Sequence, residues 1–173
     1  MMEESLQELV ELTKRYHDYL ITLDEDTVNE SKEGKWSINE EIIHLVLSIS
    51  PIIRALKMPK FQIRLLFGTA SRPVYSFSEV EKIYREELGQ GAVAPKYYEP
   101  KKNKFNTSKE LYDKWLNKTL ELEKLLNKWD QNDLDKVLLP HPSLGKLTIS
   151  ELVHFTLIHS KSHLLKVKNP ETF

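Results

Sequence analysis

The chain has 173 residues, with 25 Lys and Arg against 26 Asp and Glu for a net charge of −1. That length suits one hydrophobic core, which spans about 100–200 residues without a disulfide or metal staple, and the charge balance lacks the basic excess of a dedicated nucleic-acid binder. With no cysteine present, thiolate nucleophiles, CxxC redox pairs, iron–sulfur clusters and Cys-based zinc sites are excluded, so any metal must be held by His, Asp, Glu or backbone oxygen.

From the N-terminus, Met1 to Arg15 is acidic and amphipathic, the reverse of the basic and apolar regions of a secretory signal. The longest mostly apolar stretch, Ile42 to Ile53, covers about 12 residues, against the roughly 18 needed to span a bilayer. These features, with a cysteine-free composition that suits a reducing compartment, lead us to expect a cytoplasmic protein with neither membrane nor nucleic acid among its partners.

Periodicity predicts a first helix from about Glu3 to Leu23, with Leu6, Leu9, Val10, Thr13, Tyr16, His17 and Leu20 on one face. A turn follows through Asp24 to Gly34. The second long helix is expected from Ser37 to about Lys57, with Ile38, Ile42, Leu45, Ile49, Ile52 and Leu56 as its stripe and Pro51 as a kink or a locally accommodated break. Shorter pieces are expected over Lys60–Phe67 and Ser78–Leu88, then an irregular stretch from Gly89 to Asn106. A third long helix should run from Thr107 to Trp129 and a last from Thr148 to Lys168. Helix starts are marked by hydroxyl residues with Glu three positions later, at Ser37/Glu40, Ser78/Glu81, Thr107/Glu110 and Thr148/Glu151. Four long amphipathic helices predict an all-α four-helix bundle with short accessory helices, in a single domain over residues 1–173.

The pattern richest in chemistry is His159-Ser160-Lys161-Ser162-His163. Histidines four residues apart share a helical face, one turn above the other, where both rings can reach one ion. Both also lie on the apolar stripe of the last helix, so they should point into the bundle, where a buried imidazole needs a partner. Hydrogen bonds to neighbouring helices would satisfy them equally well. The third ligand stays open at this level. His17 falls near the middle of the first helix's stripe, whereas His44 lies about 120° from the centre of the second helix's stripe at about 100° per residue. The second helix is apolar almost all round, however, so His44 should be buried too.

Two further segments carry a family resemblance. Glu33-Gly34-Lys35-Trp36-Ser37-Ile38, followed by His44-Leu45, resembles the opening of the second helix in the DinB-like (YfiT-related) superfamily. His141-Pro142-Ser143-Leu144-Gly145-Lys146-Leu147-Thr148, then Glu151-Leu152, His159, His163 and Leu164, resembles the turn and last helix of the same family. The resemblance covers nearly the whole chain in order and length. It implies a four-helix bundle with a divalent metal, held by His44 from the second helix and by His159 and His163 from the last. On that mapping His17 becomes a core or site-supporting residue.

Three imidazoles leave a coordination position open, the pattern of a catalytic rather than a structural metal, and they suit zinc, nickel or iron. The resemblance further implies a thiol-dependent S-transferase, in which the metal activates a low-molecular-weight thiol such as bacillithiol, mycothiol or glutathione; some relatives instead isomerise maleylpyruvate. The alternatives are a metal-dependent hydrolase, and a non-enzymatic, stress-related binding protein with a structural or vestigial metal. The expected partners are a small-molecule substrate, the thiol and a second copy of the chain in a homodimer. No general base is identifiable. Glu41, Ser48 and Thr156 are candidates to accept from the ligands' second ring nitrogens.

Weaker signals surround this core. Lys96 to Phe105 interleaves basic and aromatic residues as single-strand binders do, but a solvated loop that covers the bundle end is preferred, with a lid or anion-recognition role as its functional reading. His141 should be structural beside Pro142. His154 should point away from the pair, about 140° round the helix from His159. Trp36, Trp115 and Trp129 read as core or helix-end anchors, and Glu3, Glu4, Glu8 and Glu11 as the solvated flank of the first helix.

Overall fold

The computed structural model describes residues 1–31, 34–101, 105 and 107–167. Eight helices and one hairpin follow in chain order: α1 (Met2–Leu20), α2 (Glu25–Asn29), α3 (Ile38–Leu56), α4 (Lys60–Phe67), α5 (Phe77–Gly89), α6 (Ser108–Leu126), α7 (Gln131–Lys136), β1 (Leu138–His141), β2 (Gly145–Thr148) and α8 (Ile149–Val167). The long helices α1, α3, α6 and α8 form the bundle. Helix α1 packs on α6 and α8, and α3 packs on the same two.

Side-chain pairs give the helix directions. Ser5 meets His154 and Tyr16 meets Leu164, so α1 and α8 run parallel. His44 meets His159 and Glu41 meets His163, so α3 and α8 run antiparallel. Asn39 meets Ser108 and Lys57 meets Glu121, which sets α3 parallel to α6. The core between them is built from Tyr16, Ile42, Ile53, Leu111, Trp115 and Leu122, all essentially inaccessible.

Helix α8 is the central element. It touches α1, α3, α5 and α7, and of its residues only Lys161, Ser162, Leu165 and Lys166 escape full burial. A helix enclosed on this scale must be apolar or internally satisfied nearly all round. Its polar residues are accordingly bonded: Ser150 Oγ donates to Asp135, Thr156 Oγ1 donates to the Leu152 carbonyl, and His154 pairs with Ser5.

Three of the four expected helix starts hold. Ser37 Oγ accepts from the Glu40 N–H, Thr107 Oγ1 from the Glu110 N–H and Thr148 Oγ1 from the Glu151 N–H. The fourth shifts: Ser76 with Glu79, not Ser78 with Glu81, caps α5, because the chain is already helical at Phe77. Helix α3 continues through Pro51. The first and third long helices end about a turn earlier than periodicity suggested, at Leu20 and Leu126. The expected end of the last helix at Lys168 lies outside the described residues, as do Glu33, Lys102, Asn103, Lys104 and Asn106.

Two connections read from the sequence as turns carry regular elements. The Asp24–Gly34 turn contains α2, capped by Asp24, which accepts from the Thr27 N–H and hydroxyl. Glu25 of α2 then accepts from the N–H and hydroxyl of Ser108 and so ties this connection to the start of α6. The turn before the last helix is the hairpin β1–β2, with His141 opposite Gly145 and three residues between them. Gly145 has φ 73°, the left-handed conformation that closes a three-residue hairpin loop. No single helix among the described residues is long and apolar enough to cross a membrane.

Candidate metal centre

The antiparallel packing of α3 on α8 brings the N-terminal half of one against the C-terminal half of the other. One turn of α8 separates His159 from His163, and both face His44. All three are buried, and one ring nitrogen from each lies within 4.8 Å of the other two. The Nε2 atoms of His44 and His159 are 3.1 Å apart.

Which nitrogens are free follows from their partners. His44 Nδ1 is 2.8 Å from the backbone carbonyl of Tyr98, and His163 Nδ1 bonds the carboxylate of Glu41. Carbonyl and carboxylate oxygens only accept, so both Nδ1 atoms carry a hydrogen and, in the neutral rings, Nε2 is the nitrogen left to bind a metal. Glu41 is itself buried, and its other oxygen lies 3.3 Å from Lys166 Nζ. This carboxylate–histidine pairing is the outer support that orients a ligating imidazole and raises its basicity.

The donor set fits a divalent ion. Tetrahedral zinc with Zn–N distances of about 2.0–2.1 Å places its nitrogens about 3.3 Å apart, close to the His44–His159 spacing. Aromatic rings wall the cluster. Trp36, immediately before the cap of α3, lies 5.0 Å from His44 and stacks at 6.1 Å on His163, while Phe155 stacks at 5.1 Å on His159. Beyond them opens a cavity of about 1240 Å³, bordered by Tyr84, Tyr98, His141 and Lys166 as well as the three histidines.

Burial sets the electrostatics. Desolvation pushes His44 down to about 4, opposed by its bond to Tyr98 and assisted by the neighbouring His163. His159 is held well below its ordinary value, first by burial and then by His163 and His44, so a neutral, metal-ready form is favoured. The sign for stability follows. Unfolded histidine takes up a proton below about pH 6.5, whereas folded His44 and His159 do not until lower pH. Stability of the metal-free protein should therefore fall as pH drops from about 6.5 toward about 4, at up to about 1.4 kcal/mol per pH unit for each such histidine. Urea unfolding midpoints between these values would show it, and a flat profile would contradict it.

Several expected roles change. His17 does not approach the cluster; its Nε2 lies 2.8 Å from Asp113 on α6 and its Nδ1 3.2 Å from Asp18, a bridge at the bundle surface. Of the candidate acceptors, Glu41 serves, but the Ser48 and Thr156 hydroxyls donate to the carbonyls of His44 and Leu152 within their own helices. Periodicity gave no sign of the Tyr98 carbonyl, because a backbone acceptor in an irregular loop has no sequence signature. Trp36 is a wall of the site as well as a helix-end anchor, while Trp115 belongs to the core. His154 does point away, to Ser5. His141 supports the hairpin, its Nδ1 accepting from the N–H groups of the hairpin loop, and also borders the cavity.

Removing the Glu41 charge while keeping its shape isolates the outer support. Glu41→Gln should weaken zinc binding about 10–100-fold, measured by competition with a chromophoric chelator. An unchanged affinity would show that His163 needs no carboxylate partner.

The family model of the DinB superfamily matches residues 2–167. No curated protein matches the chain.

Proposed function

Since the chain belongs to the DinB superfamily, we propose that it is a metal-dependent S-transferase in which His44, His159 and His163 hold a divalent ion and a low-molecular-weight thiol is the nucleophile. The observation that carries this reading is a cluster of three imidazoles opening onto a cavity of about 1240 Å³. Pockets for one small ligand occupy about 300–1,000 Å³, so this one has room for a thiol and an electrophile together. The chain has no cysteine, which means that a sulfur nucleophile must enter with a cosubstrate.

When bound, the ion supplies Lewis acidity that favours the deprotonated form of a thiol at neutral pH. The protein's own residues do the rest. His44 and His163 present Nε2 because Tyr98 and Glu41 hold their Nδ1 protons. Trp36 and Phe155 set apolar rings against the cluster, which lowers the local polarity and strengthens charge interactions there. Lys166, on the cavity rim beside Glu41, offers a cation to an anionic cosubstrate.

The test mixes zinc-loaded protein with glutathione, bacillithiol or mycothiol and the electrophile monochlorobimane, and follows the fluorescent conjugate. At least one thiol should give turnover well above both the chelator-treated protein and the zinc-loaded His44→Ala variant. Conjugation no faster than in those controls would overturn the reading. Metal-dependent consumption of an ester probe without any thiol would assign hydrolysis instead.

A further inference from the structure

The β1–β2 hairpin fixes which nitrogen of His141 carries the proton. The backbone N–H groups of Ser143 and Leu144 both point at Nδ1, at 3.3 and 3.0 Å. A nitrogen that receives two donors can only be an acceptor, so the hydrogen of the neutral ring sits on Nε2. The hairpin thereby holds the ring in one tautomer and one orientation, on a rigid strand rather than a loop.

Nε2 has no acceptor among the described residues, and none of their buried polar side-chain atoms lacks a partner. This N–H is therefore accessible, and His141 borders the same cavity as the three-histidine cluster. Its ring packs against Phe155 with centroids 4.3 Å apart, and Phe155 in turn stacks on His159 at 5.1 Å. His141 thus stands one aromatic ring away from the proposed ligands, which is close enough for one small molecule to reach both.

We propose that His141 is a substrate-positioning residue whose Nε2–H donates a hydrogen bond to a carbonyl or carboxylate oxygen of the molecule held at the cluster. This rests on the proposed function only in placing that molecule beside a bound metal. In a mostly apolar cavity a single fixed donor discriminates strongly, because a ligand without the matching oxygen leaves the donor unpaired. The substrate class this selects is a small oxo compound with its acceptor oxygen a few bonds from the metal-binding atom.

Levulinate and pentanoate make a suitable pair of probes. Both bring a carboxylate for the metal, but only levulinate has a ketone oxygen further along the chain. Binding would be followed by the visible spectrum of the cobalt(II)-loaded protein. Wild type should prefer levulinate by up to about tenfold, the net worth of one hydrogen bond. His141→Asn keeps an oxygen to accept from the Ser143 and Leu144 amides but has no donor at the Nε2 position, so the preference should vanish while pentanoate binding stays within about twofold. His141→Gln, which returns an N–H near that position, should recover part of it. Nitrogen-15 NMR of the imidazole should show the Nε2–H tautomer. Absence of any preference in wild type, a preference that survives in His141→Asn, or the opposite tautomer would each overturn the proposal. Because carboxylates bind metal without a thiol, these outcomes are independent of the conjugation assay.

Discussion

Glu151→Ala should lower the stability of the protein by about 3–5 kcal/mol, the cost of leaving one half of a buried ion pair uncompensated. The side chain is fully inaccessible, yet its oxygens receive four hydrogen bonds: two from Arg72 at 2.5 and 2.9 Å, one from the Tyr75 N–H at 2.7 Å and one from the Thr148 N–H at 2.8 Å. The residue thus caps α8, anchors the α4–α5 connection and faces Arg72 across it. Removing it strands all these donors at once. Because 31% of the Arg72 side chain remains exposed, water recovers part of the loss, which places the effect toward the lower end of that range. For a chain of this size the melting temperature should fall on the order of 10 °C, and a smaller fall is expected for Glu151→Gln, which keeps the volume and part of the bonding. Calorimetry of the two variants checks both numbers, and a change within about 1 kcal/mol for the alanine variant would show that the network is dispensable.

The same group has a distinct pH signature. Burial works against its charge, but Arg72, Tyr75 and Thr148 outweigh burial and hold the carboxyl below the ordinary range. Its contribution to stability is therefore complete above the unfolded value of about 4.3 and is lost as pH falls through the lower folded value. That window opens where the one of His44 closes, near pH 4, so acid destabilisation should continue below the range in which His44 titrates.

The second large effect concerns the metal. A ligand that binds only the folded state at about 100 times its dissociation constant adds about 2.7 kcal/mol. Zinc should thus raise the melting temperature of wild type by roughly 5–10 °C, reversibly with a chelator. In His159→Ala the increment should disappear, because the two remaining histidines, His44 and His163, cannot complete a three-nitrogen site. His17→Ala is the control. Its ring bridges Asp113 and Asp18 at the surface, so the zinc increment should be retained. Equal increments in wild type and His159→Ala would place zinc elsewhere on the molecule.

Much of this could be read from the chain alone, and for identifiable reasons. The four long helices carry repeating apolar faces, and three of their starts carry a hydroxyl with a glutamate three residues on, both local signals. The His159/His163 pair is likewise local, since one helical turn sets its geometry. His44 is different. Its partner residues lie more than a hundred positions away, and its own helix is apolar on several sides, so periodicity could not rank it above His17; the family resemblance did, and the structure brings it to the pair. What the chain hid depends on contacts between distant segments. The Glu151–Arg72 pair joins the first turn of α8 to the distant α4–α5 connection, the Tyr98 carbonyl is a backbone group, and the hairpin is only four residues per strand, too short for alternation to register. Gly145, directly after the three-residue loop, was an available sign of that turn. The shifted cap of α5 is a reminder that Ser76-Phe77-Ser78 offers two hydroxyls with glutamates three residues on, and only packing of Phe77 against the core favours the first.

We propose that His44, His159 and His163 together hold one divalent ion. Anomalous scattering at the zinc edge, from crystals of the zinc-loaded protein, tests it directly. A single strong peak is expected within about 2.0–2.1 Å of the three Nε2 atoms, absent from crystals of His44→Ala. No peak at the cluster, or a peak there that survives in His44→Ala, would contradict it.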